Sequence, residues 1–263
     1  MRRYALRFSA LGYLGVLLLV PLGMVFYRAF EHGLAPAWHA VTTHEALHAL
    51  YLSVLIAAIV VPLNTVFGVI AALTIVRRPF PGKGLVNAIV DLPLALSPVV
   101  VGLALFLLYG RTGWLGPWFS DHAIQMLFAL PSMVIATAFV SLPFVVREVV
   151  PVLREVGTEQ EQAASTLGAA PFQIFRRITW PAIRWAVAYG VVLTTARSLG
   201  EFGAVSVVSG HIAGQTETLT LYVQDRYENV DRVGAYSASI VLALLAVATV
   251  LLMNLFKPKE ETR

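Results

Sequence analysis

Six long apolar runs, separated by polar intervals, make up most of the chain. They cover roughly residues 8–30, 51–76, 88–109, 124–146, 185–208 and 234–256. A helix needs about 20 mostly apolar residues to cross a bilayer, and each run meets that length. The pattern predicts an all-α membrane protein with six transmembrane helices, folded as one domain over residues 1–263. Pro62 and Asn64 fall in the second run, and Pro93 and Pro98 in the third. Membrane bundles tolerate such residues where neighbouring helices satisfy the freed polar groups. The interval at 77–87, RRPFPGKGLVN, has the Pro and Gly content of a tight turn. Trp114 and Trp118, in the interval at 110–123, suit the lipid–water interface.

Composition agrees with this reading. The chain is 58% hydrophobic and 13% charged, against about 25% charged in soluble domains. It contains no cysteine, which excludes disulfides and thiolate metal sites. The first seven residues carry Arg2, Arg3 and Arg7 ahead of the first run. That run is long for the apolar core of a signal peptide, and no small-x-small site follows it cleanly, so a retained first helix is expected.

Charge placement gives the expected sidedness. With six crossings, both termini and the second and fourth intervals share one side of the membrane. Lys and Arg number fourteen on that side and three on the other, with Arg28 and Arg197 inside apolar runs. Cytoplasmic loops carry the excess of Lys and Arg. Both termini and the interval at 147–184 are therefore expected in the cytoplasm of a multi-pass inner-membrane protein. Because the cations follow sidedness, nucleic-acid binding is not expected.

The interval at 147–184 is the longest polar gap. Thr158-Glu159-Gln160-Glu161 fits a capping box, in which Thr158 caps an amide and Glu161 reaches back. A helix then runs through Gln162, Ala163 and Ala164 to a C-terminal Gly168. Pro171 suits the first turn of a second helix reaching about Thr179, and Pro181 is expected to break it before the fifth run. Two short helices about a glycine bend make a compact knob with small residues at its tip. An amphipathic hairpin lying on the membrane is the plainer reading of the same residues.

The spacing Ala163-Ala164, Gly168, Ile178 and Pro181 resembles the EAA loop of ABC importer permeases, with Gln162 in the acidic position and Trp180 before the proline. The resemblance extends through PLNTVFG at 62–68, FPGKG at 80–84, SPVVVGL at 97–103, LPFVVRE at 142–148 and ARSLGEFGAVSVVSGHIAGQTETL at 196–219. Together these resemble the sulfate/thiosulfate-type permeases, within the wider molybdate/sulfate permease family; the last stretch is similar to the CysW-type subunit. The resemblance implies a type I ABC importer permease fold. It also implies the partners: a second permease subunit, two ATP-binding cassette subunits that use ATP and Mg, an extracytoplasmic sulfate-type binding protein and membrane lipid. Thr158, Glu159, Glu161, Gln162, Ala163, Ala164, Gly168, Ile178 and Pro181 would then couple the chain to the ATPase. With Gln162 in the acidic position, any charge at that interface would come from Glu161 or Glu159. Sulfate or thiosulfate import is the implied function, with molybdate or tungstate import as the alternative. The chain has no G-x-x-x-x-G-K-[ST] motif, so an ATPase site of its own, or any bound cofactor, is not expected.

Arg197, Gly200, Glu201 and Gly203 fall in the fifth run. Charges at membrane depth face a cavity or a partner, and Arg197 and Glu201 are four apart on one helical face. They form either an anion pathway and gate or a structural ion pair, with the two glycines permitting close packing. Asp91 is expected to pair with Arg77 or Lys83. His44-Glu45-Ala46-Leu47-His48 matches H-E-x-x-H and gives a rival class, a membrane zinc metalloprotease. No third ligand is evident from spacing, so no metal site is assigned.

Overall fold

A computed structural model of the chain describes the backbone of residues 2–256, with side chains described at Arg7 and over residues 11–252. The charged tail at 257–263, with three of the cytoplasm-assigned cations, lies outside the described residues. Every regular element among the described residues is helical: α1 (Arg2–Phe30), α2 (Leu34–Val41), α3 (His44–Arg77), α4 (Lys83–Ala95), α5 (Pro98–Tyr109), α6 (Gly116–Asp121), α7 (Leu130–Ser141), α8 (Pro143–Val156), α9 (Glu159–Thr166), α10 (Pro171–Ile174), a π-helical turn (Phe175–Thr179), α11 (Trp180–Leu199), α12 (Val205–Val208), α13 (Leu219–Glu228) and α14 (Arg232–Phe256).

Helix α3 is the axis of the bundle. Its 34 residues span about 50 Å at the α-helical rise. Ala46 and Ala49 pack with Leu219, Tyr222 and Ala238 at one end. Leu52, Ile56 and Val60 join a central cluster with Met133, Val140, Val205 and Val208. Val69, Ala72 and Ile75 join the third cluster with Val145, Val149, Leu153, Ile183 and Val187. Each cluster draws on elements far apart in sequence. Apolar clusters therefore run along the bundle interior, with single polar groups such as Asn64 and Glu201 buried between them, while α1 turns Leu11, Val16 and Leu19 outward.

Two glycines set the approach of α3, α8 and α11. A Cβ at Gly68 would lie 2.7 Å from Val145 Cβ, and one at Gly190 would lie 2.8 Å from Val145 Cα. Only glycine permits both contacts.

The asparagine of the second run is accommodated by cross-helix bonding. At the junction of α7 and α8, the Leu142 amide donates to Phe139 O at 3.3 Å, and Pro143 has no N–H to donate. The Ala138 carbonyl is thereby freed. Buried Asn64 donates to it at 2.9 Å and to Ser141 Oγ at 2.9 Å.

The crossings differ from six straight runs. Among the described residues, four helical stretches are long and apolar enough to cross a membrane: Leu11–Phe30, His44–Arg77, Leu130–Val156 and Arg232–Leu252. The third run is two helices, α4 and α5, bent by 110°, and counting this pair gives a fifth. The bend falls at Leu96 and Ser97, both extended (ψ 143° and 135°); Ser97 precedes Pro98, which pushes it out of the α region. The fifth run begins earlier than its apolar residues suggest, at Trp180, and ends at Leu199; a non-helical segment then leads to α12.

Candidate functional site

The interval at 147–184 folds as α9, a glycine bend and α10, after the end of α8. The expected capping box is not formed. Thr158 has α-region backbone angles (φ −118°, ψ 0°), which do not place its hydroxyl over the first amides. It accepts instead from Gln162 Nε2 at 3.0 Å, and Glu161 points elsewhere. The C-terminal end follows the glycine rule. Gly168 has φ +83°, its amide donates to Ser165 O, and the Ala169 amide donates to Ala164 O, each at 3.0 Å. These two bonds form a Schellman motif, which needs a left-handed residue at Gly168. Pro171 opens α10, and Gln173 Oε1 accepts the Ala170 amide at 3.1 Å.

The tip of this knob is open. Leu167 is 88% exposed and Phe172 72%. Glu159, Gln162, Ala163 and Gly168 are also exposed, and Ala164 is partly so. No residue of α9 is buried.

Pro181 does not break the chain's path. A π turn over Phe175–Thr179, which contains half-buried Ile178, runs directly into α11, and the Trp180 amide reaches back five residues to Phe175 O. Widening the helix by one residue here leaves Pro181 in the first turn of α11, where its missing N–H does no harm.

Glu161 faces the bundle. Its carboxylate lies against the Arg77 guanidinium at the end of α3, with Nη2 to Oε1 at 3.1 Å and Nε to Oε2 at 3.0 Å. Thr179, in the π turn, donates to Oε1 at 2.8 Å. Arg77 Nη1 donates to Leu153 O in the last turn of α8 at 3.0 Å. Both charged side chains are mostly buried.

The second group lies at the other end of α11, about 27 Å away along the helix axis from Thr179 to Arg197. Arg197 Nη2 meets Glu201 Oε2 at 2.7 Å, with the arginine side chain 30% exposed and the glutamate side chain 1%. Glu201 Oε1 accepts the Ala204 amide at 2.8 Å, and Thr220 Oγ1 donates to the Glu201 carbonyl at 2.8 Å. Glu201 thus ties the break after α11 to α12 and α13. Gly200 caps the end of α11. A Cβ at Gly203 would lie 2.9 Å from Pro98 Cβ, so this glycine lets the break press on the start of α5. Beside Glu201 a small cavity is lined by Ser53, Thr137, Ser198 and Thr218 together with Ile56, Leu199 and Val205.

Two expected contacts are replaced by others. Asp91 pairs with Arg147 on α8 at 2.5 Å, not with Arg77 or Lys83; Arg77 is occupied by Glu161. His44 and His48 share a face of α3 with ring centroids 6.5 Å apart. Glu45, however, is held by Arg226 of α13. No group of three His, Cys, Asp or Glu able to hold a metal occurs among the described residues. The H-E-x-x-H match is the first turn of α3, capped by Thr43, whose Oγ1 accepts the Ala46 amide at 3.2 Å.

The fold is similar to that of a bacterial ABC transporter that imports the acidic polysaccharide alginate, with TM-score 0.82 over 98% of this chain and 96% of that one at 18% identity. The sequence is 51% identical over 98% of this chain to the sulfate transport system permease protein CysW of Synechocystis sp., covering 93% of that protein. It is 36% identical over 94% of the chain to the Escherichia coli permease protein CysT, covering 88% of it. The family model described as binding-protein-dependent transport system inner membrane component matches residues 64–261. The chain belongs to this permease family.

Sequence reasoning missed three residues of this permease's site: Arg77, Leu153 and Thr179. Arg77 stands 84 positions from Glu161, and no local pattern links them. The one available signal was that Arg77 ends an apolar run on the side assigned to the knob.

Proposed function

We propose that this chain is one permease subunit of an ABC importer that carries sulfate or thiosulfate into the cytoplasm. The observation that carries this reading is the near-full-length similarity to sulfate permeases. Its CysT-like relatives support a second, different permease subunit as partner. The family's dependence on a binding protein supports delivery of the anion from outside, onto the segment at 210–219. Energy would come from two separate ATP-binding cassette subunits, which use ATP and Mg; this chain would have no ATPase site of its own.

In this reading α1, α3, the α4–α5 pair, α7–α8, α11 and α14 make six crossings. Both termini and the knob then lie in the cytoplasm, as the excess of Lys and Arg on that side supports. The knob at 158–168 docks on the ATPase through its open tip. Nucleotide-driven closure of the ATPases moves the knob, and α11 carries the motion toward Arg197 and Glu201. There Arg197, partly exposed beside a buried carboxylate, supplies positive potential to a passing dianion, and the break at Gly200–Gly203 gives the bundle a place to open. Alternating access follows, and hydrolysis resets it.

The test is uptake by proteoliposomes holding both permease subunits and the ATPases, with the binding protein added outside. Labelled sulfate should accumulate only with ATP and the binding protein present, and thiosulfate should compete. Uptake of molybdate in preference to both anions would overturn the assignment of substrate.

A further inference from the structure

Helix α9 has no apolar anchor. None of its residues is buried, so burial does not hold it to the bundle. What holds it is Glu161. The carboxylate accepts a hydrogen bond from Arg77 Nη2 at 3.1 Å, with Nε 3.0 Å from Oε2 as an ion-pair contact. The Nη2 bond is charge-assisted and the Nε contact lacks hydrogen-bond geometry; together they hold the two side chains against each other. The same Oε1 accepts from Thr179 at 2.8 Å. Arg77 also donates to Leu153 O, one of the last carbonyls of α8, at 3.0 Å.

The Glu161–Arg77 pair therefore joins four elements: α9, the end of α3, the last turn of α8 and the π turn before α11. Helix α3 runs through all three apolar clusters. Helix α11 runs to Arg197 and Glu201. A push on α9 therefore reaches both long helices at once through Glu161. The surroundings shield this contact in part: the Arg77 and Glu161 side chains are 15% and 19% exposed, at the floor of an open cleft lined also by Leu73, Ile174 and Thr179. Buried pairs of this kind add little net stability, because desolvation offsets their attraction. Their value is geometric.

We propose that Glu161 is the positioning residue through which force on α9 enters α3 and α11, and that it does not supply charge to the ATPase interface. This rests on the reading of residues 158–168 as the ATPase-docking knob. The acidic side chain presented outward at the start of that knob is Glu159, which is exposed.

The experiment uses the full reconstituted complex and measures three quantities: ATPase co-purified with the permease, ATP hydrolysed, and sulfate imported per ATP. Variants are Glu161→Gln, Arg77→Gln, Thr179→Val, the double Glu161→Gln/Arg77→Gln, and the exchange Glu161→Arg/Arg77→Glu. In both single charge variants the ATPase stays bound, and sulfate imported per ATP falls about tenfold, the size of an ordinary coupling free energy. Thr179→Val gives a smaller fall, the double variant is no worse than either single, and the exchange recovers part of the loss. The proposal is overturned if imported sulfate per ATP is unchanged in Glu161→Gln. It is equally overturned if the charge variants lose bound ATPase and import in parallel, which is the mark of a structural or interface role. Failure of the docking reading itself is read separately: ATPase binding would then survive Gly168→Trp.

Discussion

Gly168 is the position where bulk and backbone strain can be separated. It sits at φ +83° in the bend between α9 and α10, and a Cβ there would meet nothing within 4 Å. An alanine would therefore clash with nothing in this chain but would still pay the left-handed backbone cost, roughly 1–2 kcal/mol for an L-residue. Asparagine tolerates this region better than most residues. Tryptophan carries the same backbone cost as alanine and adds bulk between exposed Leu167 and Phe172. Thermal unfolding of the purified permease should thus rank Gly168→Asn nearest the native chain, with Gly168→Ala and Gly168→Trp lower and close to each other. Co-purification with the ATPase should separate them differently. Asn and Ala should retain the ATPase, while Trp should lose it together with ATP-driven sulfate uptake. The reasoning fails if Gly168→Trp binds the ATPase and transports like the native chain. It also fails if Ala and Trp lose the ATPase equally, since strain in the bend would then explain both.

Arg197→Gln leaves the buried Glu201 carboxylate without its partner, and assembled complex should fall; adding Glu201→Gln should restore assembly, measured by size-exclusion chromatography, while sulfate uptake stays low. Glu217 is 3% exposed, and burial foremost, with Asp225 adding, pushes its carboxyl up from 4.5 to about 7. The folded chain then binds more protons than the unfolded chain between those values, so stability should fall as pH rises from about 4.5 to 7 and level off above; in Glu217→Gln the slope over that window should shrink. Asn64→Leu leaves the Ala138 carbonyl buried and unpaired, a loss of about 1–3 kcal/mol that a thermal shift should report. Replacing His44 and His48 together should leave sulfate uptake unaltered, and appearance of one zinc per native chain by metal analysis would contradict that.

The periodic part of the fold was legible because burial and lipid impose it locally. Helices α1, α3 and α14 lie within a few residues of their apolar runs, although α3 starts at His44, ahead of its first apolar stretch, where Thr43 caps it. What local pattern did not carry was direction. Pro98 marks a break, but the 110° turn at Leu96–Ser97 depends on how α5 packs against Gly203 and α12. Apolar residues continue past Leu199, yet Glu201 captures the Ala204 amide and Gly200 ends the helix. The knob's outline came from Gly168 and Pro171, whose backbone demands are local. Its attachment was illegible, because Glu161 was assigned to a cap by spacing alone. In the folded chain Arg77, brought near by the packing of α3 on α8, outcompetes the local amide. Pro181 misled for a related reason: the π turn removes the conflict that a regular helix would have with proline.

Absence of native cysteine allows a single reporter at the tip of the knob. Leu167→Cys, at a position 88% exposed, would carry a short thiol-reactive photo-crosslinker in the assembled complex. The account predicts a covalent product with the ATP-binding cassette subunit, and labelling of the same cysteine by an impermeant reagent only from the cytoplasmic face. An intact complex with no such product, or labelling from the outer face, would contradict it.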